Sequence, residues 1–202
     1  MKLIVMTKST FFVEEDKILT SLFDEGLDIL HLHKPGSTPI YSERLLTLLD
    51  EDYRSKIIVH DHFYLKDEYR LRGIHLDDAL APVPDGYKGR YSRTCRTVEQ
   101  LKEAKKKTEY VFLENAFGGG DGTEPGGAFT AEQLKEASRR GLIDRKVYAL
   151  GGIDIENAHR AKDLGFGGVV ICGDLWSRFD IHNQPGYKEL ISHFERLRKV
   201  IN

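Results

Sequence analysis

The sequence is short of cysteine, has no long apolar run and carries almost no net charge, and each shortage removes a class of protein. Its two cysteines, Cys95 and Cys172, stand far apart in 202 residues. They form no CxxC pair, so neither a disulfide framework nor a thiolate zinc site is indicated, and both are expected to be buried thiols. No apolar stretch nears the roughly 20 residues a spanning helix needs, and the hydrophobic part of the opening MKLIVMTKST is too short for a secretory signal. A cytoplasmic protein with no membrane attachment is expected. Lysine and arginine number 30 against 32 acidic residues, a formal charge of -2. That balance produces no global positive field, so no nucleic-acid partner is expected. The dinucleotide pattern GxGxxG is also missing after the first strand candidate, where the chain reads MTKSTFF.

What the chain does have is a regular alternation of strand-like and helix-like segments, the pattern of parallel α/β folds. The strand candidates are Lys2–Met6, Asp28–His33, Lys56–His60, Gly73–Leu76, Arg90–Arg93, Tyr110–Leu113, Lys146–Leu150 and Gly168–Cys172. Amphipathic segments between them predict helices over Glu14–Glu25, Ser42–Leu49, Thr97–Lys107, Thr130–Arg140, Ile155–Leu164 and Tyr187–Val200. Thr130 before AEQL and Asp154 before IENA supply helix starts, and Gly141 and Gly165 supply stops. Eight such units in a chain of this length predict one domain, a compact (β/α)8 TIM barrel, in preference to a doubly wound open sheet.

In such a barrel the reacting groups project from the C-terminal strand ends. Here those ends are polar. They carry Thr7 and Lys8, then His31, His33 and Lys34, then His60, Asp61 and His62, then His75, Asp77 and Asp78, followed by Ser92 and Arg93 and by Glu114 and Asn115. Five of the eight histidines thus fall at the ends of three consecutive strands, which marks a candidate site. His31 and His33 lie two apart on a strand, so their rings share one side. Either both face the lumen, or one is a core histidine and the other a surface residue. Imidazole with carboxylate suits several divalent ions, while Asp61, Asp77 and Asp78 suit loosely held Mg2+.

The second half is rich in glycine. ALGGI, with Gly151 and Gly152, closes the seventh strand candidate, and GFGGVVICGD runs through the eighth to Gly173 and Asp174. Backbone free of side chains after strands seven and eight is where barrels bind phosphate. Gly151→Asp is accordingly expected to abolish phosphate binding without unfolding the chain. A long glycine-rich stretch, Asn115–Phe129, follows the sixth strand and is expected to act as a lid.

These segments resemble those of the thiamine phosphate synthase and thiazole tautomerase family. ALGGI and GFGGVVICG are similar to its AIGGI and GADGVAV, LHLHKPG stands where it has QLREK, and IIVHDHFYL resembles IINDRVDLA. GIHLDD resembles GVHLGQ, RYSRTCRTVEQLKEA resembles GVSTHTLEEA, and YVFLENAF resembles YVGVGPIF, so the likeness runs the length of the chain in order. It implies magnesium-dependent joining of hydroxymethylpyrimidine diphosphate to hydroxyethylthiazole phosphate with loss of pyrophosphate. Small phosphorylated thiazole and pyrimidine substrates and a homodimer are implied with it.

By position, the resemblance makes Asp61 a magnesium ligand, places His60 and Ser92 at the substrate, and lines a thiazole phosphate pocket with Gly151, Gly152 and Gly173. The chain departs from the pattern at several points. His31 and His33 replace a glutamine and an arginine, and Lys34 stands one residue before the family's lysine. The second metal aspartate falls near Leu80, leaving Asp77 or Asp78 slightly upstream as substitutes, and a TPTK-like loop is replaced by acidic GGGDGTEPGG. Lys34, Arg93 and Arg96 are the cations left for pyrophosphate. Asn115 takes the position of the tautomerase histidine and cannot serve as an acid or base. Transfer chemistry is the first expectation. A tautomerase-like isomerase, or a phosphate-ligand-binding regulatory paralogue, is the alternative.

Overall fold

Eight parallel strands close on themselves in chain order. They are β1 (Lys2–Met6), β2 (Ile29–Leu32), β3 (Ile57–Val59), β4 (Gly73–Leu76), β5 (Arg90–Cys95), β6 (Val111–Leu113), β7 (Val147–Leu150) and β8 (Gly168–Ile171), and β8 pairs back onto β1. The structure, a computed structural model, describes residues 1–118, 129–179 and 186–202. Around the barrel lie α1 (Glu15–Asp24), α2 (Pro39–Leu48), α3 (Glu51–Arg54), α4 (Leu65–Glu68), α5 (Val98–Ala104), α6 (Ala131–Arg139), α7 (Ile155–Asp163), α8 (Gly173–Trp176) and α9 (Gly186–Ile201). The expected (β/α)8 barrel is what forms. Most of the proposed lid, 119–128, lies outside the described residues.

The strand sequences explain the closure. Runs such as LIV, IIV, VYAL and GVVI are apolar on both sides, as strands covered on both faces must be. Successive residues then feed two different cores. Leu3 and Val5 of β1 pack outward under the helices, whereas Ile4 joins Ile29, Ile58, Tyr110, Phe112, Tyr148, Leu150 and Val170 inside the lumen. The helix starts read from sequence also hold. Thr130 Oγ1 accepts from the Gln133 amide at 3.2 Å while Gln133 Oε1 accepts from the Thr130 amide at 2.8 Å, and Asp154 Oδ1 accepts from the Asn157 amide at 2.7 Å.

Three details differ from the sequence reading. Helix α2 begins at Pro39, three residues before the expected start at Ser42, because proline's fixed φ suits the first helical turn. The single-turn helices α3 and α4 were not anticipated, being too short to show a period. Finally, β4 passes to β5 through residues 77–89 with no helix. The Arg93 guanidinium braces that segment, donating to the carbonyls of Asp78 (3.2 Å), Ala79 (3.2 Å) and Ala81 (2.5 Å).

Candidate functional site

The lumen becomes polar toward the C-terminal strand ends. His31, His60 and His75 come from adjacent strands β2, β3 and β4, with ring centroids 5.1, 5.2 and 4.3 Å apart, and the rings of His31 and His75 rest on Phe112. His60 Nδ1 lies 2.7 Å from Asp77 Oδ1, His60 Nε2 lies 2.8 Å from His31 Nδ1, and His31 Nε2 lies 2.7 Å from the Tyr110 hydroxyl. One assignment satisfies every atom when both rings are neutral. Ionised Asp77 accepts from His60 Nδ1–H, His60 Nε2 accepts from His31 Nδ1–H, and His31 Nε2 accepts from the Tyr110 O–H. His75 is likewise filled, with Nδ1 2.7 Å from Ser92 Oγ and Nε2 2.9 Å from Thr94 Oγ1. The result is a polar row running from the mouth down the barrel axis.

Burial governs the charge states along it. Loss of solvent, reinforced by the neighbouring His60, holds the His31 and His75 imidazoles well below their usual range, so both stay neutral. Burial pushes the Tyr110 phenol well up. For Asp77 burial pulls upward, but the hydrogen bond from His60, helped by the nearby Arg96 guanidinium, prevails and keeps its carboxyl below the ordinary value.

His33 completes the mouth. Its ring centroid is 4.5 Å from that of His60, so both members of the HxH pair do turn to one side, His31 fully buried and His33 half-buried. Its Nδ1 faces Asp61 Oδ2 at 3.9 Å, too far for a hydrogen bond, and both atoms are buried with no partner. Asp78 is engaged elsewhere. Its Oδ2 pairs with Arg96 at 2.8 Å and its Oδ1 accepts from the Leu80 amide at 2.7 Å. Arg96 also pairs with Glu114 at 2.9 Å. His62 donates or accepts nothing in this cluster and instead bonds the Ser37 carbonyl through Nε2 at 3.0 Å.

The remaining residues singled out in the sequence divide between mouth and scaffold. Lys34 is buried, its ammonium bonded to Glu15 at 2.6 Å and to the Thr10 carbonyl at 2.9 Å, and covered by Phe11 at 4.5 Å. It holds the β1–α1 loop. Ser92 is fully buried behind His75. The ends of β7 and β8 do meet, since Leu150 pairs with Val170, so Gly151–Gly152 and Gly173 stand on neighbouring strands. GFGG does not join them. Gly165 ends α7, and Gly167 and Gly168 open β8 at the opposite end, packed against the Arg145 carbonyl and the Tyr148 ring. Gly151 (φ +94) and Gly152 (φ +66) are themselves required by backbone packing, because a side chain there would strike Gly118, Asn115 and Phe117. Asn115 itself sits at φ 54 in this contact. Asp174 anchors α8 to α9 through His193 Nε2 at 2.5 Å and also pairs with Arg178 at 3.0 Å. Asp77 and Tyr110 carry the row; sequence offered Asp77 as one of three acids suited to loosely held magnesium and Tyr110 only as a strand residue.

This architecture was compared with known proteins. No family model and no curated protein matches the chain. Among solved structures, thiamine phosphate pyrophosphorylase from Bacteroides thetaiotaomicron is 50% identical over 99% of this chain and 97% of its own, with a TM-score of 0.89. The chain belongs to the thiamine phosphate pyrophosphorylase family. A second pyrophosphorylase, from Pyrococcus furiosus, matches at 18% identity and a TM-score of 0.71, covering 99% and 95% of the two chains. Tryptophan synthase subunit alpha from Legionella pneumophila shares the fold alone, at 14% identity, a TM-score of 0.68 and coverage of 99% and 92%.

The magnesium that this family resemblance implies finds only part of its site. Asp61 offers a buried oxygen with no partner, whereas the Asp78 carboxylate is spent on Arg96 and Leu80. The group facing that Asp61 oxygen is an imidazole nitrogen. Asp61 and Asp78 do not make the all-oxygen set that magnesium takes.

Proposed function

We propose that the protein acts in thiamine biosynthesis by joining hydroxymethylpyrimidine diphosphate to hydroxyethylthiazole phosphate. The observation that carries this reading is the 50% identity, spread over 99% of the chain, to a thiamine phosphate pyrophosphorylase. The turns Gly151–Gly152 and Gly173 support it, because they follow the paired strands β7 and β8, and backbone free of side chains after those strands is where such barrels bind phosphate. In the reaction the thiazole nitrogen forms a C–N bond to the pyrimidine methylene carbon as the C–O bond breaks, and pyrophosphate leaves with the electron pair. His33 and Asp61, at the mouth with unsatisfied polar atoms, orient the reactants. Ser92 acts through His75 as a positioning residue.

One observation favours a second reading. Lys34, Arg93 and Arg96, the cations that the sequence offers to pyrophosphate, are committed to Glu15, to three loop carbonyls, and to Asp78 and Glu114. A phosphate-binding regulator without turnover would need no such grip. The hydrogen-bonded His60–His31 pair equally suits an isomerase that moves a proton. One experiment separates the three: purified protein is given both substrates with magnesium, manganese or zinc in turn, and pyrophosphate release is measured. Repeated turnover with any metal supports the transferase. Interconversion of thiazole isomers without release selects the isomerase, and thiazole phosphate binding with neither activity selects the regulator. Pairing of two copies belongs to the same proposal and is read by light scattering.

A further inference from the structure

We propose that the barrel mouth holds one borderline divalent transition-metal ion, of the zinc, cobalt or ferrous class, on His33, His60 and Asp77. Each of these residues offers a ligand atom, and the three atoms lie within 4.8 Å of one another. Two imidazoles and one carboxylate form a set that suits zinc or ferrous iron and leaves coordination positions open. The separation of His60 Nδ1 and Asp77 Oδ1, 2.7 Å, needs to widen only modestly to reach the ~3.0–3.4 Å that spans two neighbouring ligands each bonded at about 2.1 Å in octahedral or tetrahedral geometry. His60 is buried, His33 half-buried and Asp77 half-exposed, so the open positions face solvent and an incoming ligand.

The far atom of the His60 imidazole is supported as metal sites require, and that of His33 has a carboxylate oxygen nearby, at 3.9 Å. His33 Nδ1 faces the unpartnered Asp61 Oδ2, and His60 Nε2 is bonded to His31, which is bonded to Tyr110. Coordination through His60 Nδ1 reverses the row without releasing a proton from it. His60 then carries its proton on Nε2 and donates to His31 Nδ1, and His31 carries its proton on Nε2 and donates to Tyr110. A competing triad of His31, His60 and His75 also lies within reach of one point. It is the weaker candidate. All three rings are buried, none of the three ligands is a carboxylate, and both His75 nitrogens are occupied by Ser92 and Thr94.

The test uses untagged full-length protein stripped with chelator, with no substrate present, so its outcome is separate from that of the transferase assay. Cobalt(II) is titrated while its visible absorption is followed, and zinc binding is measured by calorimetry. One ion per chain is expected, with millimolar magnesium failing to displace it. His33→Gln and Asp77→Asn, both at the mouth, are each expected to weaken cobalt by more than the ~10–100-fold typical of outer-sphere changes, and Asp61→Asn by about that amount with stoichiometry kept. If a variant does not fold, X-ray absorption of the zinc-loaded parent decides, with two imidazoles expected in the inner shell. Failure to take up one ion, affinity unchanged in either ligand variant, displacement by magnesium, or an inner shell of oxygen alone overturns the assignment.

Discussion

Replacing Gly151 by alanine separates two roles that one glycine plays at the end of β7. Its φ of +94 lies in the region that side-chain-bearing residues avoid, a strain of about 1–2 kcal/mol. The added Cβ would also lie 2.5 Å from the Gly118 carbonyl oxygen, 2.9 Å from Asn115 Cα and 3.0 Å from Asn115 N. All three are backbone atoms, so no rotamer change relieves the overlap, and overpacking of this kind costs about 1–3 kcal/mol more. The sum, roughly 2–5 kcal/mol, corresponds to a Tm lower by about 4–20 °C for a chain of this size. Gly141→Ala is the control, since φ there is +68 but nothing lies within 4 Å of the new Cβ, leaving only the strain. Scanning calorimetry on both variants reads the difference. If Gly151→Ala is as mild as Gly141→Ala, the loop from Asn115 to Gly118 yields freely and the close-packing argument is wrong. The same calculation corrects an expectation from sequence: Gly151→Asp would damage the fold together with any phosphate site.

Acid should destabilise the protein early. His31 and His75 have folded pKa values well below the unfolded value of about 6.5, so below that pH the unfolded chain binds more protons and stability falls as pH falls. Two such groups remove on the order of 3 kcal/mol between pH 7.5 and 5.5, checked by urea unfolding in chelator, and a flat profile contradicts the neutral assignment. Glu15→Ala leaves Lys34 buried without its anion and is expected to cost about 3–5 kcal/mol, whereas the double change Glu15→Leu with Lys34→Met recovers most of it in the same assay. Arg93→Ala removes the brace on residues 77–89, so local opening there becomes easier by about 1.5–3 kcal/mol, read as faster amide exchange confined to that segment.

The barrel was legible because its signals are local. Apolar runs of three to five residues, the Thr130 and Asp154 caps and the spacing between them each report on a few neighbours, and together they order eight strands correctly. The site was legible only as a gathering of polar strand ends. Which of those groups meet depends on the closure of the barrel: Lys34 finds Glu15, nineteen positions away, and His31 finds Tyr110, seventy-nine away. No periodicity encodes such pairs. The glycines misled in a different way. GFGG reads as a phosphate turn, yet Gly167 and Gly168 serve close packing at the far end of β8, and only the register shows which end of a strand a motif occupies.

The row from Asp77 to Tyr110 has an optical consequence. His60, His31 and Tyr110 each have a hydrogen to give and a lone pair to receive, whereas Asp77 only accepts, so a change of direction at His60 obliges His31 and Tyr110 to follow. Its innermost member is a chromophore. Near-ultraviolet absorption of a phenol responds to whether its oxygen donates or accepts, so a ligand that reverses the row at its entrance is expected to shift the Tyr110 band.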